Sequence, residues 1–141
     1  MPIKKELRKL YPVDWRQISA AVRFERARGR CEACGRPHGR IVCQASDGAW
    51  WDADAATWRD GRARALVGLS FPLEAIRTTR VVTAAAHLDH DPRNNAWENL
   101  KSLCARCHLE NDRPEHRRRR WLTYRMRKAI GDLFSGLYAG R

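Results

Sequence analysis

The chain has 141 residues, 43% hydrophobic and 31% charged, with 28 Lys and Arg against 16 Asp and Glu and a formal net charge of +12. This length suits one domain with a modest core, and the composition excludes a disordered chain. No apolar run approaches the roughly 20 residues of a membrane span, and Met1–Leu10 lacks the apolar centre of a signal peptide. The expectation is a cytoplasmic protein with reduced thiols.

A pI near 10.4 asks for a polyanionic partner. Nucleic acid comes first and an anionic membrane surface second; a merely solvated basic surface is the plain alternative.

In chain order, residues 1–12 read as a basic, Pro-punctuated lead-in. Asp14 is placed to cap a helix from Trp15 to about Arg28, with Ile18, Ala21, Val22 and Phe24 or Glu25 near helical spacing and Gly29 ending it. Cys31–Gly35 reads as a tight turn carrying two thiols. Ile41–Ala45 suits a strand, Ala49–Trp58 holds three tryptophans, and Asp60-Gly61 signals a turn. Arg62–Leu69 and Arg77–Ala86 read as further strands, the second more firmly because Val81, Val82 and Thr83 are β-branched. Leu73–Ile76 reads as a helical turn after Pro72.

Asp91–Glu98 is a polar loop. The pattern then predicts a helix beginning near Asn99 or Leu103 and running through His108 to about Asp112, with Pro114 as punctuation. A last helix is expected from about Glu115 to Phe134, with Leu122, Met126, Ala129 or Ile130, Leu133 and Leu137 on one face and a loose end at Gly136 and Gly140.

Two C-x-x-C units stand out, Cys31/Cys34 and Cys104/Cys107. Two residues between thiolates let both sulfurs reach one ion from a single turn, and two such turns complete a tetrahedral zinc site. The alternative is a redox pair. Zinc would tie the N-terminal helix to the segment near residue 104, and its binding free energy would become folding free energy. Four cysteines close the coordination sphere, so this zinc is expected to be structural. Cys43 is left over and reads as a small buried strand residue.

The densest chemistry lies in His87-Leu88-Asp89-His90 and onward through Asn99-Leu100 to Cys107-His108. A strand would deliver His87, and a helix would return with His108. His108 and Asp112 are four apart, so both project from one helix face and suit a shared divalent ion.

On these residues the sequence resembles the HNH endonuclease family in its four-cysteine zinc-bearing form. The likeness covers 31–34 and 81–116 and little of 36–80. It implies that His87 is the general base that activates water and that Asn99 holds the loop and orients that histidine. His108 would be a ligand of the catalytic metal (Mg²⁺, Mn²⁺ or another divalent ion), with Asp112 as the second ligand. Many family members carry a metal-binding His or Asp directly before the base, where this chain has Ala86. Asp89, His90 or water would replace it. A second register stays open, with His90 as base and Asp89 as ligand, although it shortens the interval to Asn99.

His116 and Arg117–Arg120 open the last helix, and Arg106 and Arg113 flank the expected metal helix. These arginines are candidates for gripping the phosphates of DNA, double-stranded by preference. Trp50, Trp51 and Trp58 are more in keeping with hairpin packing than with base stacking, and His38 and His116 read as surface residues.

Together these features give an α+β fold. A ββα-metal core (an antiparallel ribbon and a helix) carries a structural four-cysteine zinc site, flanking helices and an inserted hairpin or small sheet. One domain is expected over 1–141: an N-terminal helix in 1–30, the zinc and metal core in 31–112 with the insertion at 36–80, and a basic C-terminal helix in 113–141. The function expected is phage-like DNA phosphodiester hydrolysis by a monomer or homodimer. The rivals are a zinc-stabilised binding protein with an inactive site and an RNA-directed nuclease.

Overall fold

The structure is a computed structural model that describes the backbone of residues 5–138 and the side chains of residues 7–129. It is mixed α+β and divides into two units, residues 1–109 and 110–141. Among the described residues, no helix is long and apolar enough to cross a membrane.

The first unit opens with a 3-10 turn, Lys5–Leu10, and the short helix α1, Trp15–Ala20. Asp14 caps α1 through its backbone carbonyl, which accepts from Gln17 and Ile18 N–H at 2.9 and 3.1 Å; its side chain makes no cap bond. The chain continues from α1 as a π-helical segment, Ala21–Arg26, so the expected single helix is wound more loosely in its second half. It stops where Arg28 and Gly29 take φ of +49° and +67°, a turn that favours glycine.

The expected insertion is a five-stranded antiparallel sheet. Its strands are β1 (Ile41–Ala45), β2 (Trp50–Asp52), β3 (Thr57–Arg59), β4 (Ala65–Leu66) and β5 (Ile76–Arg80), in the order β4-β3-β2-β1-β5. The strand expected over Arg62–Leu69 shrinks to β4. Asp60 explains the loss, because its carboxylate accepts from the N–H groups of Arg62 and Arg64 at 2.8 Å and holds that stretch in a turn. Leu73–Ala75 forms the expected helical turn.

The strand expected over Arg77–Ala86 is two strands. β5 pairs along β1, and after Val81 and Val82 the chain enters β6, Thr83–His87, in a separate two-stranded ribbon with β7, Leu100–Cys104. The helix expected to begin near Asn99 or Leu103 is a 3-10 turn, Trp97–Asn99, then β7, and only then α2, Ala105–Tyr138. Leu100, Ser102, Leu103 and Cys104 are all buried, so this stretch is covered on both faces and carries no helical stripe.

Pro114 lies inside α2 and does not end it. The arginine-rich sequence after it favours helix. The unit boundary falls at residue 110, whose carbonyl Pro114 deprives of its donor. The apolar face expected from Ile130, Leu133 and Leu137, and the ends at Met1–Lys4 and Gly140, lie outside the described residues or side chains.

In the first unit the core is small. Its central cluster joins Val42, Trp50, Val81, Ala86 and Leu103 to Cys31, Cys34, Cys104 and Cys107. The cysteines are therefore part of the core, as expected where a small domain lacks apolar volume. Trp50 is 1% exposed and donates from Nε1 to Cys34 O at 3.0 Å. Trp51 and Trp58 pack on each other and Trp58 on Phe71, so the tryptophans build the sheet.

Gly48, in the β1–β2 turn, has φ +95°, and a Cβ there would lie 2.0 Å from the Arg106 guanidinium. Gly48→Ala should therefore lower stability by roughly 1–2 kcal/mol, visible as a lower thermal midpoint.

Candidate functional site

Cys31 and Cys34 flank a turn closed by Gly35 N–H donating to Cys31 O at 2.8 Å, with Gly35 at φ +77°. Cys104 ends β7 and Cys107 lies in the first turn of α2. The four buried sulfurs lie within 4.8 Å of one another, and Cys34 Sγ is 3.6 Å from Cys104 Sγ. Sulfurs about 2.3 Å from a tetrahedral zinc stand roughly 3.8 Å apart, so this cluster can hold a metal ion such as zinc. Hydrogen bonds from Cys107, then Cys31 and Cys34, push the Cys104 thiol below its ordinary value, and the bonds to Cys104 push Cys107 and Cys34 above theirs; Cys104 N–H donates to Cys31 Sγ at 3.3 Å.

Protein contacts hold the first cysteine turn against β7 independently of any ion. Glu32 N–H donates to Ser102 O at 2.8 Å, and Glu32 Oε2 accepts from Ser102 N–H at 2.6 Å. Arg26, from the π-helical segment, pairs with Glu32 at 2.9 Å and donates to Trp97 O at 2.8 Å.

His38, expected at the surface, is half-buried at the start of β6. Its Nδ1 accepts from Thr83 N–H at 3.0 Å, and burial and Arg23 push its pKa down.

Between β6 and β7, the polar loop is held by its own amides and carboxylates. Asp89 accepts from Asn94 Nδ2 at 2.6 Å, Asn99 Nδ2 at 2.8 Å and Asp91 N–H at 2.9 Å. Asn99 Oδ1 accepts from Asp89 N–H at 3.1 Å, and Asn99 O accepts from Leu88 N–H at 2.9 Å. Asn99 thus stitches the loop; the side chain that hydrogen-bonds the His87 ring is that of Asn95.

The donors, led by Asp91 N–H and then Asn99 and Asn94, hold the Asp89 carboxyl at about 2, below its usual 3.8. The folded loop therefore favours the ionised form. That contribution is complete above pH 3.8 and lost as pH falls towards about 2. Amide protection within 88–99, taken relative to the intrinsic exchange rate at each pH, should fall across this window. Asn99→Ala should lower the protection of the same amides at neutral pH.

His87 ends β6 and is 8% exposed. Its ring stacks on Trp15 (centroids 5.0 Å apart) and meets the Tyr11 ring at 5.7 Å. Nε2 lies 3.0 Å from Asn95 Oδ1. Asn95 Nδ2 donates to Arg93 O and Pro92 O, which fixes the amide with its oxygen towards His87. A neutral His87 ring in this setting carries its proton on Nε2 and its lone pair on Nδ1. From sequence, Asn95 is one polar loop residue among several, and nothing there links it to His87. Asn94-Asn95 shortly after Pro92 is the available signal.

His90 is half-buried in a left-handed conformation, φ +62°, and its N–H donates to His87 O at 3.3 Å. His108 lines a cavity of about 130 Å³ with Val82, Ala84, Leu103, Ala105 and Leu109. Side chains alternate along a strand, and paired residues share a face. The register Ala84↔Leu103 and His87↔Leu100 therefore puts His87 on the ribbon face opposite that of Ala84, Ala86 and Leu103.

Imidazole and carboxylate donors such as His108 and Asp112 suit a divalent ion. Asp89 is already engaged by its loop. Asp112 belongs to the second unit, where its carboxylate accepts from Asn111 Nδ2 at 3.3 Å.

Arg106 reaches back to the β1–β2 turn and donates to Asp47 O at 3.0 Å, so it is built into the first unit. In the second unit, Arg113 and Arg117–Arg120 are exposed. Arg119 and Arg118 pair with Glu115 at 2.7 and 3.8 Å, and Arg125 lies 4.6 Å from the exposed Trp121 ring. Cys43 is half-buried in β1.

No family model matches the chain, and no curated protein or solved structure matches it.

Proposed function

We propose that this chain is a metal-dependent endonuclease of the HNH type, built on a ββα-metal core and acting on DNA. The observation that carries the reading is the unbroken order β6, stitched loop, β7, α2. It sets His87 at the end of the first strand opposite Leu100, and His108 directly after the last cysteine.

Alternation along β6 is consistent with it. Position 86, where the family carries a ligand, falls on the Leu103 face with the His108 cavity, and the base falls on the next residue and the other face. Here position 86 is alanine, so the ligand proposed within the first unit is His108.

In this reading, His87 Nδ1 takes a proton from the attacking water, and Asn95 keeps the ring in the tautomer that leaves Nδ1 open. Asn99 and Asp89 fix the loop that supports both. His108 would bind the divalent ion, which when bound neutralises charge on the phosphate and steadies the leaving 3′-oxygen. The product is a 3′-hydroxyl and a 5′-phosphate. Arg113 and Arg117–Arg120 supply charge for the phosphate backbone. Tyr11 and Trp15 cover the His87 ring, so substrate reaches it only when that cover shifts.

The low exposure of His87 and the alanine at 86 favour a second reading, a zinc-stabilised nucleic-acid-binding protein that does not cut. Supercoiled plasmid incubated with Mg²⁺, Mn²⁺ or Ni²⁺, against an EDTA control, separates the two. Nicked or linear product only with metal supports the nuclease. Salt-sensitive binding without product supports the second reading. Single-stranded DNA and RNA in parallel identify the polymer.

A further inference from the structure

Arg36 is the single buried Lys or Arg among the described residues, 2% exposed. A buried guanidinium is costly unless an anion answers it. Its partners are unusual: Nη2 donates to Gly48 O at 2.9 Å, the group lies 5.9 Å from the Trp50 ring, and Nη1 points to Cys34 Sγ at 3.6 Å. Its Nε makes no hydrogen bond. Among the described residues no carboxylate forms an ion pair with it, and the group it contacts that can carry formal negative charge is the Cys34 sulfur of the cysteine cluster.

A divalent ion with four thiolates carries two net negative charges. We propose that Arg36 is the internal countercharge of the cysteine centre, halving that net charge and lowering the electron density on Cys34 Sγ. This rests on the cluster holding a metal, and it explains both halves of the arrangement. The centre gives a buried cation its anion, and the cation stabilises a dianionic centre that the small core must otherwise enclose alone. Gly48 and Trp50 fix the guanidinium from the other side, so its charge is held against the sulfur.

The test compares the zinc-loaded full chain with Arg36→Met, which keeps the apolar stem, and Arg36→Lys, which keeps the charge. The readouts are zinc transfer to a chromogenic chelator and the rate of thiol alkylation. Arg36→Met should weaken zinc binding about ten- to hundredfold, the range for partners just outside a metal's ligands, and alkylate faster; Arg36→Lys should lie near wild type. Equal retention of zinc by Arg36→Met and wild type overturns the proposal, as does a loss in Arg36→Lys as large as in Arg36→Met. If Arg36→Met does not fold, Arg36→Lys decides alone: retention near wild type supports the countercharge, and loss of tenfold or more overturns it. A wild-type chain that holds no zinc overturns this proposal together with the metal reading beneath it.

Discussion

Replacing His87 with glutamine is expected to reduce plasmid cleavage by roughly a hundred- to ten-thousandfold, the usual contribution of a positioned general base. Glutamine is the informative choice. The sequence alone suggests that His87→Ala would leave folding nearly intact, but the ring is buried between Trp15 and Asn95. Truncation to alanine would open a cavity beside α1 and cost stability as well as chemistry. Glutamine fills most of that volume and can still donate to Asn95 Oδ1, yet it has no group that takes a proton near neutral pH. The expected pattern is an unchanged thermal midpoint to within a few degrees, unchanged DNA affinity, and lost cleavage. His90→Ala should cut at close to the wild-type rate. Full activity in His87→Gln would remove the assigned base, and loss in His90→Ala alone would move it to the other register.

The second large effect belongs to the cysteine centre. Cys104→Ser should release the metal and unfold the first unit. Structural zinc contributes an apparent binding free energy of about 10–16 kcal/mol, whereas a whole domain is stable by only about 5–15 kcal/mol. Cys104 also sits at the join of β7 and α2 within the core cluster, so the loss would be felt by both elements that carry the proposed site. Far-ultraviolet circular dichroism and metal analysis check it. A folded, active Cys104→Ser protein would show that protein contacts such as Arg26–Glu32–Ser102 hold the unit by themselves.

What could be read from the sequence follows from how local each signal is. The C-x-x-C pairs needed only spacing, and the four sulfurs are indeed gathered. The Asp60-Gly61 turn and the helical turn after Pro72 are set by neighbours within a few residues, and the strand Ile41–Ala45 shows in its local composition although its partner β5 is distant.

The errors came where long-range contacts decide. The break between β5 and β6 falls in an unbroken β-branched stretch, because β5 pairs with β1 while β6 pairs with β7. Residues 100–104 read as helix, since burial on both faces hides the strand period. The cover over His87 left no local trace, because Tyr11 and Trp15 reach it from far along the chain. Arg106 looked like a phosphate contact because its link to Asp47 spans most of the sheet insertion. Arg36 carried no sequence signal beyond its nearness to Cys34.

The most direct test of this account is the metal content of the purified full chain, measured by native mass spectrometry alongside thiol titration. One zinc per chain is expected. Cys31, Cys34, Cys104 and Cys107 should resist alkylation until a strong chelator is added, with Cys43 reacting independently. A folded chain of bare polypeptide mass, its five thiols all equally reactive without chelator, would contradict it.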